Sequence, residues 1–194
     1  NGRLNQGSME YLCGLGLTFA PNGHSLIQSC TNEALDILYL RDDDIPQYVS
    51  RGVADIGIVG QNVLFETKAK TQIVKSLAFA RCRLVIAVPK NSDIKAIKNL
   101  EGKRIATTYP YLLSRFLAEN NLNASIIPFA GSVEIAPEMN LADAVCDIVQ
   151  TGKTLAAHNL TSLVTILESQ AVLIASKSKK VADSHQKLIK LLTI

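Results

Sequence analysis

The chain has 194 residues, of which 47% are hydrophobic, 19% charged and 5% aromatic, and its formal net charge is +3. This length can bury a substantial core, and the composition is that of a folded globular protein, which excludes a disordered or fibrous chain. The apolar runs are far shorter than the roughly 20 residues that span a bilayer, and basic residues do not interleave with aromatic ones as in nucleic-acid grooves. We therefore expect neither a membrane nor a nucleic acid as a partner.

Two further features indicate the cytoplasm. The N-terminal residues form neither a basic leader nor a long apolar segment. The four cysteines are widely spaced and include no C-x-x-C pair, so we expect them to be reduced and assign them no catalytic role. The histidines are isolated from acids and cysteines at ligand spacing, and we expect no metal site built by the protein alone.

Short apolar runs alternate with helical patterns along the chain, which is typical of an α/β protein whose parallel or mixed sheets are covered by helices. The first clear pair of strands lies at residues 36–40 and 56–59. Between them, Ile45, Tyr48 and Val49 share one helical face. This order predicts a compact βαβ unit.

A second series of elements follows the apolar run at residues 85–89, which ends at a proline. Ser92 and Asp93 then indicate the start of a helix. Further strands are predicted at residues 103–108, 124–129 and 144–149. Between the first two of these strands lies an apolar helical stripe made by Leu112, Leu113, Phe116 and Leu117.

The last part of the chain predicts two strands, residues 162–167 and 171–176, and a final helix whose inward side chains are Val181, Leu188, Leu191 and Leu192. The runs 83–89 and 171–176 would cross between two lobes in opposite directions, as in periplasmic-binding-protein-like folds of type II. We expect residues 1–84 and 170–194 to form the first lobe. Residues 85–169 would form the second, and such a double hinge favours closure around a ligand.

The strongest chemical signal is the run Asp147-Ile148-Val149-Gln150-Thr151-Gly152-Lys153-Thr154-Leu155, an apolar strand that enters a small turn and then a helix. Such a turn can bind phosphate through backbone N–H groups and threonine hydroxyls, and the acid can reach ribose hydroxyls. A Walker A loop is excluded, because it needs a glycine at position 147. Two alternatives stay open, a plain capped turn and the phosphoribosyl loop of type I phosphoribosyltransferases, which usually carry two adjacent acids.

The wider context of this run resembles a known family. Residues 134–155, EIAPEMNLADAVCDIVQTGKTL, are similar to the signature of ATP phosphoribosyltransferases, D-[LIV]-x-x-[ST]-G-x-T-L after an acid and small residues. Asn140 stands where the family pattern usually has glycine. Further matches occur in order along the whole chain, at residues 2–4, 41–46, 52–60, 82–84 and 104–110.

The resemblance implies transfer of the 5-phosphoribosyl group of phosphoribosyl pyrophosphate to N1 of ATP, the first step of histidine biosynthesis. It implies that phosphoribosyl pyrophosphate is bound by Asp147, Thr151, Gly152, Lys153, Thr154 and Leu155. The implied catalytic residues are Glu134 and Asp147, and the implied ATP contacts are Arg3, Asp55 and Tyr109. From local sequence alone, Arg3 could equally be a solvated terminal residue, Tyr109 a loop anchor and Glu134 a helix-start carboxylate.

The resemblance also implies Mg²⁺, held through the substrate phosphates. Family members with a C-terminal regulatory domain assemble as dimers that build hexamers, whereas short members work with a separate regulatory subunit. This chain looks closer to the long form, and we expect it to lack the regulatory domain. The competing hypothesis is a non-catalytic binding module of the periplasmic type, which would share the two lobes but needs no D-x-x-x-T-G-x-T loop.

Overall fold

The computed structural model describes residues 2–21, 23, 25–176 and 190–192. The chain forms two compact units, one made by Asn1–Ala80 with Gln170–Ile194 and the other by Arg81–Ser169. The backbone therefore passes from one unit to the other twice. The strand Cys82–Pro89, which contains the boundary drawn from the sequence at residue 84, lies wholly in the second unit.

The first unit contains three α-helices and five strands in the described part of the chain. The helices are α1 (Arg3–Gly14), α2 (Ile45–Ser50) and α3 (Gln61–Thr67). The strands are β1 (Ile27–Ser29), β2 (Asp36–Leu38), β3 (Ile56–Gly60), β4 (Thr71–Ser76) and β10 (Ala171–Ser176). They form a two-stranded sheet β1-β2 and a three-stranded sheet β3-β10-β4, both antiparallel.

This topology corrects two predictions for the first unit. The βαβ unit expected from residues 36–59 is wrong, because β2 pairs with β1 and β3 pairs with β10. The sheets are antiparallel rather than parallel or mixed. The physical reason lies in β10, whose apolar residues 171–175 are all at most 2% exposed and therefore take the centre of the sheet between β3 and β4.

Helix α1 packs closely against the segment that follows β4. A Cβ added at Gly7 would lie 2.4 Å from Cδ2 of Phe79, so only glycine leaves room for this ring beside the helix. The carbonyl of Phe79 accepts the N–H of Ala171 at 2.9 Å, which ties the ring's own segment to the start of β10. The contact therefore connects α1 to the central sheet of the first unit.

The second unit is built on one five-stranded sheet. Its elements are β5 (Cys82–Pro89), β6 (Arg104–Thr107), α4 (Pro110–Glu119), β7 (Ser125–Pro128), β8 (Ala144–Val149), α5 (Lys153–Ala157) and β9 (Leu160–Ser169). The strand order is β7-β6-β8-β5-β9. Strands β6, β7 and β8 are parallel, whereas β5 runs antiparallel to both its neighbours, so this sheet is mixed as predicted.

Helical predictions for this unit had two outcomes. The stripe on α4 is confirmed, because Leu112, Leu113 and Leu117 are buried. The helix start at Ser92 and Asp93 is wrong, because the next helical segment is a single 3₁₀ turn, Ile97–Leu100. Polar residues after a proline indicated a cap, but the Asn99 side-chain oxygen accepts the N–H groups of Lys95 and Ala96 and stabilises a single turn instead.

The end of the chain is described only at residues 190–192. Leu192 is 5% exposed and packs with Leu12, Leu17 and Leu77 in the core of the first unit. The predicted inward residues Val181 and Leu188 lie outside the described residues. All four cysteines are free, and no helix in the described ranges is long and apolar enough to cross a membrane.

Candidate functional site

The carboxyl ends of the three parallel strands of the second unit meet at one edge of the sheet. Thr107, the last residue of β6, is in register with Pro128 of β7 and with Cys146 of β8. The residues that follow these strands, or end them, are therefore neighbours. In open α/β sheets this edge is where ligands bind.

Asp147 lies on β8 beside the residue that follows β6. The Thr108 hydroxyl donates to Asp147 Oδ1 at 3.5 Å, a long hydrogen bond. Burial raises the pKa of the Asp147 carboxyl, and the nearby charge of Glu134 raises it further, while hydrogen bonds from the Ile148 amide and Thr108 oppose the shift. A carboxylate held partly out of water in this way gains from additional donors, such as hydroxyl groups of a ligand.

Glu134 reaches the same edge from the segment that follows β7. It lies in a 3₁₀ turn, Val133–Ile135, that is anchored by the fully buried Val133. Ser132 precedes it in the left-handed region at φ +50°, a conformation that is uncommon for residues other than glycine, asparagine and aspartate. The turn leaves Glu134 partly exposed and close enough to Asp147 for their charges to interact.

The predicted phosphate loop follows β8. Gly152 has φ +76° and ψ +1°, the left-handed conformation that favours glycine, and it directly precedes α5. An added Cβ would meet no atom within 4 Å, so the space in front of this residue is open. Thr151 and Thr154 are exposed, whereas Leu155 is 6% exposed and packs into the core, where it anchors the loop.

Tyr109 directly precedes α4 and is partly buried. Its backbone N–H donates to Thr107 Oγ1 at 2.8 Å. Sequence reasoning gave no role to Thr107 or Thr108, although a hydroxyl at the last position of an apolar strand, followed by a second one, was a usable signal. The structure thus brings Tyr109, Glu134, Asp147 and the loop at residues 151–155 together in the second unit.

Arg3 and Asp55, the other predicted contacts, belong to the first unit. Arg3 is exposed and is the first residue of α1. Asp55 is also exposed, and it precedes β3, so it lies at the amino end of that strand. Because ligands bind at the carboxyl ends of strands in open α/β sheets, the place of Asp55 on its strand does not itself indicate a ligand contact.

Asn140 occupies a turn between the 3₁₀ turn and β8. Its φ is +54°, so it adopts the left-handed conformation that favours glycine. Asparagine tolerates this region better than most residues. The carbonyl of Asn140 accepts a hydrogen bond from Arg104 Nη1 at 2.9 Å, and Arg104 Nη2 also pairs with Asp143 Oδ1 at 2.9 Å.

Comparison with known proteins places this arrangement in a family. A sequence model described as ATP phosphoribosyltransferase matches residues 41–193. An ATP phosphoribosyltransferase from Cytophaga hutchinsonii is 48% identical over 175 residues, which cover 90% of this chain and 61% of that protein. The chain belongs to the ATP phosphoribosyltransferase family. The resemblance read from the sequence is confirmed, and the chain spans about three fifths of the length of this relative.

Solved structures agree with the family assignment. The ATP phosphoribosyl transferase (HisG:HisZ) complex from Thermotoga maritima contains a chain with TM-score 0.82 and 29% identity, and the match covers 100% of this chain and 94% of that one. The second substrate-binding domain of a protein described as an amino acid ABC transporter, from Streptococcus pneumoniae, has TM-score 0.56 and 18% identity, covering 99% and 80%. The latter likeness concerns the fold alone. Together they confirm the α/β, two-lobed, periplasmic-binding-protein-like class for this ATP phosphoribosyltransferase family member.

Proposed function

We propose that the protein transfers the 5-phosphoribosyl group of phosphoribosyl pyrophosphate to N1 of ATP and releases pyrophosphate, the first step of histidine biosynthesis. Family membership supports this reaction. The observation that carries the proposal is the loop after β8, where the left-handed Gly152 and two exposed threonines follow the partly buried Asp147. A non-catalytic binding module of the periplasmic type needs no such loop, so its presence favours the phosphoribosyltransferase reaction.

The reaction needs positioning more than activation of a nucleophile. Adenine N1 already carries a lone pair, which forms a bond to C1 of the ribose while the bond from C1 to the pyrophosphate oxygen breaks. Positive charge develops on the ribosyl centre in the transition state, and fixed carboxylates stabilise such charge. Asp147 would accept hydrogen bonds from the ribose hydroxyls, and Glu134 would face the same ring.

The 5-phosphate would rest on the loop at residues 151–155. The amides of a first helical turn have no partner within the helix, and the hydroxyls of Thr151 and Thr154 add donors beside them. Lys153 is exposed on the same turn and supplies positive charge. Leu155, whose side chain is buried, would contribute only its backbone N–H.

The nucleotide contacts are proposed for Arg3, Asp55 and Tyr109. A guanidinium can bind phosphate oxygens in a bidentate manner, which suits Arg3 to the triphosphate. Tyr109 can stack on adenine from the same edge of the sheet that carries Asp147. Asp55 is exposed and can accept hydrogen bonds from hydroxyl or amino groups.

Mg²⁺ is proposed as a companion of the substrate phosphates. Within residues 2–21, 23, 25–176 and 190–192, no cluster of three or more metal-ligating side chains is present. Mg²⁺ bound chiefly by phosphates and water needs only one or two carboxylates, and Glu134 with Asp147 fit that requirement. When bound, the ion would neutralise charge on the departing pyrophosphate.

We further propose a cytoplasmic protein that assembles with copies of itself or with a regulatory subunit. The Thermotoga maritima relative was solved as a complex of HisG with HisZ, which supports a partner subunit for that protein. A homo-oligomer, dimeric and building to a hexamer, is the corresponding expectation for the long form. Size measurement with and without such a subunit distinguishes the two.

The phosphate loop can be tested by removing one hydroxyl. We expect Thr154→Ala to weaken binding of phosphoribosyl pyrophosphate about tenfold to a hundredfold, because a hydrogen bond to a charged group contributes about 1.5–3 kcal/mol. Calorimetric titration measures the affinity. Thr161→Ala, which removes an exposed hydroxyl on β9, is the matched control and should change nothing. Equal affinity of Thr154→Ala and wild type would argue against the loop as the phosphate site.

A further inference from the structure

Thr107 is a buried polar residue at the centre of the site's edge. Its side chain is fully buried at the end of β6, between β7 and β8. The Thr107 hydroxyl donates to the carbonyl of Cys146 at 2.8 Å and accepts the N–H of Tyr109, also at 2.8 Å. Its own carbonyl accepts the N–H of Phe129 at 2.9 Å. One residue thus hydrogen-bonds to all three segments that carry the proposed site.

Each of these bonds lies next to a residue of the proposed mechanism. The carbonyl of Cys146 immediately precedes Asp147 in the chain. The amide of Tyr109 belongs to a proposed nucleotide contact, and Phe129 begins the segment that leads to Glu134. A shift at Thr107 would therefore change the spacing of all three groups, and catalysis depends steeply on such spacing.

We propose that Thr107 is a positioning residue, whose buried hydroxyl holds the turn of Tyr109 against the end of β8 and thereby sets the distance between the nucleotide and ribose contacts. This inference rests on the proposed function. The role requires the hydroxyl itself, since valine has almost the same shape but can neither donate to Cys146 nor accept from Tyr109.

Three substitutions separate the hydroxyl from the shape of the side chain. Thr107→Val removes the hydroxyl and keeps the branched form, whereas Thr107→Ser keeps the hydroxyl and removes a methyl group. The control is Thr71→Val, because the hydroxyl of Thr71 is also buried but has no hydrogen-bond partner among the described residues. A hydroxyl without a partner should be replaceable without loss.

Hydrogen exchange of the Tyr109 amide measures the contact without any ligand. We expect a protected amide in wild type and Thr107→Ser, and exchange at least about tenfold faster in Thr107→Val, because the acceptor is gone. Fast exchange of this amide in the folded wild-type protein would overturn the inference directly. That measurement tests the hydrogen bond even if Thr107→Val does not fold, and Thr107→Ser then carries the kinetic comparison.

The kinetic test compares kcat/KM for phosphoribosyl pyrophosphate well below each variant's melting temperature. We expect a loss of about tenfold to a hundredfold in Thr107→Val, recovery in Thr107→Ser and no loss in Thr71→Val. Wild-type kcat/KM in a folded Thr107→Val would overturn the positioning role while leaving the proposed function intact. If the wild type itself forms no product even with a regulatory subunit present, the proposed function fails, and hydrogen exchange still reports on Thr107.

Discussion

Gly152 combines a left-handed backbone with open space in front of it. A side chain at this position would therefore strain the backbone and occupy the ligand's space, but it would not clash with other atoms of the free protein. A left-handed conformation costs an L-residue roughly 1–2 kcal/mol and a β-branched residue more. We expect Gly152→Val to abolish measurable binding of phosphoribosyl pyrophosphate while the protein stays folded and its ATP affinity changes little. Thermal-shift titrations with each ligand measure this.

The matched control for that prediction is Gly102→Val. Gly102 has φ +70° and equally open space, and it precedes β6, at the opposite end of that strand from Thr107. Both variants should melt at a lower temperature than wild type, but only Gly152→Val should lose binding of phosphoribosyl pyrophosphate. Wild-type affinity in Gly152→Val would mean that the loop is a structural turn.

We expect Asp147 to lower the stability of the folded protein near neutral pH while it strengthens binding of phosphoribosyl pyrophosphate. Because burial raises its pKa, folding favours the protonated acid. The stability it contributes is complete below an ordinary aspartate pKa of 3.8 and is lost as pH rises through the raised value. Asp147→Asn should therefore melt higher than wild type near neutral pH, with the difference shrinking in acid, while phosphoribosyl pyrophosphate binds about tenfold to a hundredfold more weakly.

Asp143 serves as the control, because its replacement by asparagine should change the melting temperature in the opposite direction. The Arg104 guanidinium hydrogen-bonds to Asp143 and lowers the pKa of that carboxyl. Its contribution is present above the ordinary aspartate pKa and is lost as pH falls through the lowered value. Asp143→Asn should melt slightly lower than wild type near neutral pH. Melting curves over pH that show the same sign for both variants would contradict this account.

The backbone of the loop was predictable because the residues that determine it are close together in the sequence. The succession of Asp147, Thr151, Gly152 and Thr154 specifies a strand, a turn and donors within one short segment, and Gly152 has the positive φ that such a turn uses. The hydrogen-bond partners of Thr107 were not predictable in the same way. Cys146 and Phe129 are distant from it in sequence and become neighbours only through strand pairing.

At the scale of elements, α1 tests whether helix propensity or side-chain packing decides the effect of a substitution on stability. Alanine is favoured over glycine inside a helix by about 1 kcal/mol. At Gly7, however, an added Cβ would lie 2.4 Å from the Phe79 ring. We expect Gly7→Ala to lower the free energy of unfolding by about 1–2 kcal/mol net, as overpacked sites do, measured by chemical denaturation.

Gly14, the last residue of the same helix, is the control for Gly7. An added Cβ there would meet no atom within 4 Å, so Gly14→Ala should be neutral or slightly stabilising. A stabilising effect at both positions would show that Phe79 does not pack as described. Equal destabilisation at both would indicate that the helix itself, rather than the ring contact, is sensitive.

The positions of strands were easier to predict than the neighbours with which the strands pair. Residues 56–59 and 171–176 were recognised as strands from their apolar β-branched runs, and both are strands. The pairing of β3 with β10 joins segments more than 100 residues apart, so no local pattern specified it. The short β2 instead pairs with its near neighbour β1, so the expected βαβ unit does not form.

At the scale of the whole molecule, the family resemblance carried information that periodicity did not. Alternating strands and helices predicted an α/β chain, and the mixed sheet of the second unit agrees. The antiparallel β5 between β8 and β9 could not be derived from the apolar run alone, because a buried strand has the same pattern in either direction. The apolar runs 83–89 and 171–176 indicated the two-lobed class, which solved structures confirm, and the ordered family motifs supplied the family itself.

The most direct test of the central claim is an absorbance assay for adduct formation by the 194-residue chain with ATP, phosphoribosyl pyrophosphate and Mg²⁺, run with and without a regulatory subunit. We expect an ATP derivative carrying phosphoribosyl at N1, formed together with pyrophosphate, and strongly reduced in Gly152→Val. Mass spectrometry of the product verifies the group that was transferred. Binding of either ligand without any product, even when the regulatory subunit is present, would contradict the account and favour a non-catalytic binding module.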